Sequence, residues 1–304
     1  VDSRRKGEDS MRRNDAENDM RHLLEEARSS RGSEKTAHFA RRMLEEDPDN
    51  PEGLLLLAKT SDSDQERIDL LERARENCES RQQGIGSDIG LLVDIMQELV
   101  VSLLAEGRAA EGIDVSREIL EYDPDNMTLA RTLLYRCLIE DGRYSEVLEE
   151  SFSDPDPSPA REHSRAIAAF LMEGVSPESW KALWEVFRTE AAIPFLMLGY
   201  LDTSGDEETD AFAEFYADAW SVTVPLRNWL TGGMLLFSEL TGRFDAIPEE
   251  TLRIFSESLR LDDILEEAKT RLFEAGDTGR MEASERDALI LGILESITSG
   301  RKIG

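Results

Sequence analysis

Apolar positions along this chain recur every three or four residues, and no stretch shows the period of two that marks a half-buried strand. Met20, Leu23, Leu24 and Ala27 form one helical stripe, and Ala37, Ala40, Met43 and Leu44 form the next. The second stripe ends at Asp47-Pro48-Asp49-Asn50-Pro51, where proline stops one helix and Asn50-Pro51 prepares the start of another. Leu54, Leu55, Leu57 and Ala58 follow, and then either Ser63 or Asp64 is placed to cap the helix carrying Ile68, Leu71 and Ala74. Gln82-Gln83-Gly84-Ile85-Gly86 reads as a loop. Long stripes cover 89–106 and 109–122 with Gly107 between them, and helices at 128–141 and 144–152 are split by Gly142.

The stretch Ser153-Asp154-Pro155-Asp156-Pro157-Ser158-Pro159 reads as a stiff surface linker. Beyond it, helices are expected at 160–173, 176–189, 195–201, 209–220, 225–241, 249–259, 262–274 and 283–298. Ser176-Pro177-Glu178 and Ile247-Pro248-Glu249-Glu250 place proline and acids as helix starts require. The expected organisation is a charged arm at 1–15, helical repeats at 16–152, the linker at 153–159 and a divergent all-helical region at 160–304.

A repeat lies inside the first part. Gly107-Arg108-Ala109-Ala110-Glu111-Gly112 and Gly142-Arg143-Tyr144-Ser145-Glu146-Val147 are two copies of one inter-helix turn, 35 residues apart. Asp47-Pro48-Asp49-Asn50 and Asp123-Pro124-Asp125-Asn126 are two copies of another punctuation mark. A helical pair leaves one apolar face uncovered, and stacking the next pair covers it. These motifs resemble the tetratricopeptide (TPR) repeat family, over 89–152 and, with weaker matches, over 33–80. The copies are degenerate: Gly112 and Val147 stand where the family usually has alanine. More distantly, 36–230 is similar to repeat proteins related to suppressor of tumorigenicity 7 and to bacterial repeat proteins associated with a SEC-C zinc module. No cysteine follows Cys137, so the zinc module itself is absent. The fold class implied is all-α: a TPR-like α-α superhelix with a divergent helical C-terminal half.

The resemblance implies a peptide groove along the first helix of each pair. Asp94, Gln97 and Val101 would line it in one unit, and Thr128, Arg131 and Tyr135 in the next. Arg131 would clamp a carboxylate and Gln97 would satisfy peptide amides. The set of lysines and asparagines with which some family members grip a C-terminal carboxylate is missing.

Charge narrows the partner. A net charge of −30 repels nucleic-acid backbones and anionic membrane surfaces and leaves a basic or apolar protein or peptide as the expected partner. The same acids also solvate exposed helix faces. Only six of the 35 basic residues are lysines.

Chemistry adds little. Cys78 and Cys137 lie on separate expected helices, and His22, His38 and His163 sit at no metal-ligand spacing from them. Glycine falls at the fourth place of the 202–210 loop, where a calcium loop needs it at the sixth. Pairs such as Glu25-Glu26, Glu45-Glu46 and Glu249-Glu250 read as solvated faces, and Trp180, Leu183, Trp184 and Phe187 read as a core stripe. No phosphate-binding glycine loop or nucleophile elbow is present. No catalytic residue, cofactor or metal is assigned, and the first residues lack the apolar run of a secretory signal. The expectation is a cytoplasmic, non-catalytic scaffold or adaptor. The alternatives are a homo-oligomer formed through the aromatic-rich C-terminal half, or an all-α enzyme or regulator with its site in 160–304.

Overall fold

The computed structural model describes residues 33–82, 89–123, 128–155, 157–243, 259–276 and 281–300. Among them the protein is all-helical with no strand, as the periodicity predicts. The chain divides into two compact units, Val1–Cys137 and Leu138–Gly304.

The first unit holds α1 (Ser33–Glu46), α2 (Pro51–Ala58), α3 (Asp64–Gln82), α4 (Ile89–Ala105), α5 (Ala109–Tyr122) and the start of α6 (Ala130–Glu140). Helices adjacent in sequence pack on one another from α1 through α5. Asn50 takes extended backbone and accepts from the Gly53 amide at 2.8 Å, while Pro51 opens α2, as the sequence implies. Ser63 is the residue that caps α3, accepting from the Glu66 amide at 3.3 Å. The core is aliphatic: Ala40, Met43, Ile68, Leu71, Leu92, Ile95, Met96, Val100, Ile113 and Ile119 are fully buried. Each side chain of that size contributes about 1.5–3 kcal/mol on burial.

The two matching turns close alike. Gly107 and Gly142 sit at φ of 72° and 73°, a left-handed conformation that only glycine enters without a steric penalty. The Arg108 amide donates to Leu103 O at 2.8 Å, and the Arg143 amide donates to Leu138 O at 2.9 Å. Gly107 and Gly142 each donate three residues back, to Leu104 O and Ile139 O, both at 3.1 Å. This is the paired bonding of a Schellman cap. Gly112 does a different job: a Cβ there would lie 2.7 Å from Cys137 Sγ, so the missing side chain lets α5 and α6 approach.

The second unit holds the end of α6, then α7 (Tyr144–Ser153), α8 (Pro159–Glu173), α9 (Pro177–Thr189), α10 (Ala192–Met197) and α11 (Glu207–Tyr216). A single 3-10 turn, Ala219–Ser221, is followed by α12 (Val224–Thr241), α13 (Leu261–Glu274) and α14 (Ala283–Gly300). Ser176 caps α9 in a reciprocal box with Ser179, ahead of Pro177. Two helices differ from expectation. The one placed at 195–201 begins earlier and ends at Met197, with Pro194 in its first turn. The one placed at 209–220 starts at Glu207, because Asp206 accepts from the Thr209 amide at 2.9 Å. It ends at Tyr216, and the 3-10 turn takes over. The stripe at Met20–Ala27, the loop residues 83–86 and positions 249–258 of the helix expected at 249–259 lie outside the described residues.

Packing in this unit adds contacts between helices distant in sequence to those between neighbours. Helix α9 contacts α8, α12 and α14, and α12 also contacts α8, α10, α13 and α14. The core is aromatic. Trp180, Trp184, Trp220 and Trp229 are all at most 2% exposed. Trp180 stacks on Trp184 at 5.2 Å between ring centroids, and Phe170 stacks on Trp229 at 4.8 Å. Glycine again sets an approach: a Cβ at Gly233 would lie 2.6 Å from Leu183 Cδ2. The Trp184 indole donates to Thr298 Oγ1 at 3.1 Å, pinning the last helix to α9.

Candidate functional site

The residues expected to line a groove divide sharply. Asp94 is exposed and Val101 is 43% exposed, on one face of α4. Gln97, between them, is half-buried, and its Oε1 accepts from the Leu129 amide at 2.9 Å. Its carboxamide oxygen fastens the entry of α6. Thr128 donates through its amide (2.8 Å) and its hydroxyl (2.6 Å) to Asp123 Oδ2, and so closes the loop between α5 and α6. Arg131 is half-buried. Tyr135 corrects the expectation outright: at 1% exposure its ring is in the core and offers nothing to a groove. It sits one turn along from Arg131 at a position the α6 pattern makes apolar.

A residue the sequence reading passed over joins the exposed pair. Leu129 is 61% exposed and is held beside α4 through the Gln97 bond. The signal for it was local: a large apolar residue just outside the α6 helix, next to a polar anchor. On the other flank Lys59 reaches Glu98 at 2.8 Å, a solvated pair worth about 0–1 kcal/mol. Val101 and Leu129 are thus exposed apolar side chains on either side of the Gln97 bond, and among the described residues no ion pair holds the exposed Asp94.

Residues of α3, α4 and α5 line a cavity of about 460 Å³ over Leu99, Leu103 and Val115. Glu72, Glu76, Glu79, Glu111 and Asp114 ring it with Arg75. Arg75 bonds Glu79 at 2.7 Å and Glu118 at 2.6 Å. Burial opposes its charge, and these two carboxylates outweigh that, holding its pKa above the ordinary value. Arg108 forks onto Glu111 with two 2.7 Å bonds, raising its own pKa and lowering that of Glu111. These are structural ion pairs at the rim of an acidic recess.

In the second unit, Glu162, His163 and Ser164 stand consecutively and are all buried. They form no relay, because neighbours on a helix point apart. Glu162 pairs with Arg161 at 2.6 Å and with Arg165 at 3.3 Å. Ser164 shares a hydrogen bond with the Tyr216 hydroxyl at 3.1 Å. His163 Nδ1 accepts from Trp220 Nε1 at 2.9 Å. Trp is a donor only, so the imidazole is neutral with its proton on Nε2. Burial pushes its pKa down to about 3, and Phe212, Tyr216 and Trp220 crowd the ring edge-on. It is a core pin that the sequence reading did not foresee.

The polar 202–210 loop spends its acids on itself. Asp210 accepts from the Thr203 hydroxyl at 2.5 Å and from the Ser204 amide and hydroxyl at 2.8 and 2.6 Å, and these bonds depress its pKa. Among the described residues no three His, Cys, Asp or Glu side chains converge as a metal site requires, and no helix is long and apolar enough to cross a membrane. Cys78 and Cys137 are buried thiols that are not joined in a disulfide. Compared with known proteins, the chain matches no family model, no curated protein and no solved structure.

Proposed function

We propose that this chain is a non-catalytic, cytoplasmic interaction scaffold in which the first unit is a short array of TPR-like hairpins. Its α4 face takes an extended segment of a partner protein carrying basic and apolar residues. Two rows of cross-links support the array. Lys59–Glu98 and Gln97–Leu129 join α2, α4 and α6 on one side. Arg75–Glu118 and Arg108–Glu72 join α3 and α5 on the other. Bonds between helices two apart in the chain are what stacked hairpins require.

The observation that carries the reading is the exposed Asp94–Val101 face with Leu129 beside it. An apolar spot with an adjacent unpaired carboxylate, in a chain of net charge −30, suits a basic-apolar peptide. For the homo-oligomer alternative, the four tryptophans of the C-terminal half are internal, while Phe273 in the same half is 87% exposed. The test is capture of partners from the native host by wild type and by Asp94→Arg/Val101→Glu. Both positions are exposed helix sites, so circular dichroism should be unchanged. Partners that bind wild type and are lost from the variant support the assignment. Equal capture by both sinks it.

A further inference from the structure

A second cavity, of about 410 Å³, lies in the second unit and is lined by Leu198, Tyr200, Thr223, Val224, Arg227 and Asn228, with Ser221 and Thr231 completing the wall. Its size is within the range of small-molecule sites, about 300–1,000 Å³. Its chemistry is unusual for this chain. Of 304 residues 65 are acidic, yet no carboxylate lines this wall, whereas five ring the recess of the first unit. Among the described residues no carboxylate pairs with Arg227, and the Asn228 amide and Tyr200 hydroxyl make no hydrogen bond. The neighbouring hydroxyls are committed: Thr231 Oγ1 donates to Arg227 O at 2.9 Å, Ser221 Oγ donates to Ala217 O at 3.2 Å, and Thr223 Oγ1 accepts from the Leu226 amide at 3.3 Å. The first-turn amides of α12 are committed too, Leu226 to that hydroxyl and Arg227 to Thr223 O. The groups left to donate are the guanidinium, the carboxamide, the phenol and the proton of the Thr223 hydroxyl, of which only the oxygen is engaged.

We propose that this cavity is a binding site for a small organic carboxylate with an apolar body. The carboxylate forks onto Arg227, Asn228 and Tyr200 supply further hydrogen bonds, and the apolar body lies against Leu198 and Val224, the latter 73% exposed. Charge selects the class. The field of the whole chain repels anions in proportion to their charge, and screening over about 8–10 Å leaves the nearest cation dominant. One guanidinium then balances a monoanion but not a phosphate dianion. Apolar contact adds affinity through the area removed from water, at about 25 cal/mol per Å².

The test uses the full chain labelled with 15N and titrates it with sodium hexanoate, with 1-hexanol and with inorganic phosphate, following the Arg227 and Asn228 side-chain resonances. Hexanoate should saturate at millimolar concentration, and hexanol at the same concentration should leave both resonances unmoved. Arg227→Gln, a surface change, should weaken hexanoate at least tenfold while leaving the amide spectrum otherwise superimposable. Asn228→Leu should weaken it about threefold. Failure of hexanoate to saturate, equal binding to Arg227→Gln, or phosphate binding tighter than hexanoate would each overturn the assignment. Loss of partner capture through the α4 face would leave this result unaffected, since the two sites share no residue.

Discussion

The two units are built from the same element and hold it together in different ways. In the first, each helix contacts its sequence neighbour, the core is aliphatic, and polar pairs such as Arg75–Glu118 knit alternate helices. In the second, α9 meets α14 more than a hundred positions later, through Trp184–Thr298 and Arg188–Glu295, around four buried tryptophans. Local stacking leaves a periodic trace in sequence. Closure by large aromatics does not, because one indole spans several helices and needs no fixed spacing.

The sharpest way to break this contrast is Trp184→Ala. It should cost the second unit about 3–5 kcal/mol by opening a cavity that aromatic neighbours cannot fill, read as a shift of the denaturation midpoint. Trp184→Phe should cost roughly 1–2 kcal/mol, part of it the lost bond to Thr298.

Acid should separate the units next. His163 is neutral when folded, with a pKa near 3, against 6.5 ordinarily. The unfolded chain therefore takes up a proton first as pH falls. Its contribution is intact above about pH 6.5 and is lost progressively toward pH 3, at about 1.4 kcal/mol per unit. At pH 5 the loss should be about 2 kcal/mol. His163→Gln should lower stability at pH 7 but flatten this slope; an unchanged slope would contradict the burial argument.

In the first unit, Gly112→Ala drives a methyl toward Cys137 Sγ, 2.7 Å away. The clash should outweigh the gain in helix propensity of up to about 1 kcal/mol and leave a net loss of about 1–2 kcal/mol. Adding Cys137→Ala should recover most of it, so a double-mutant cycle by urea denaturation checks the contact. The smallest effect belongs to Lys59→Ala, below about 1 kcal/mol and fading in high salt.

Helix boundaries were largely legible wherever a cap supplied its own chemistry: Asn50-Pro51, Ser176-Pro177, Gly107 and Gly142 all act as their residue types dictate. They were misplaced at 195–201 and 209–220, where one helix begins at Ala192 with Pro194 in its first turn and Asp206 caps the other ahead of the apolar stripe. The candidate face was half legible. The repeat resemblance put Asp94 and Val101 on one side of α4, but which side of α6 meets the core depends on neighbours that sequence spacing does not name. That is why Tyr135 was assigned outward and Leu129 was missed. The His163–Trp220 bond, 57 positions apart, left no local trace at all.

The scaffold reading rests on one face of one helix, and a photo-cross-linking amino acid placed there interrogates it directly. Installed at Val101 in the native host, it should yield discrete adducts with a partner protein, while the same probe at Asp114, exposed on α5 beside the acidic recess, should yield none. Adducts at 114 and not at 101, or equal labelling from both, would contradict the account.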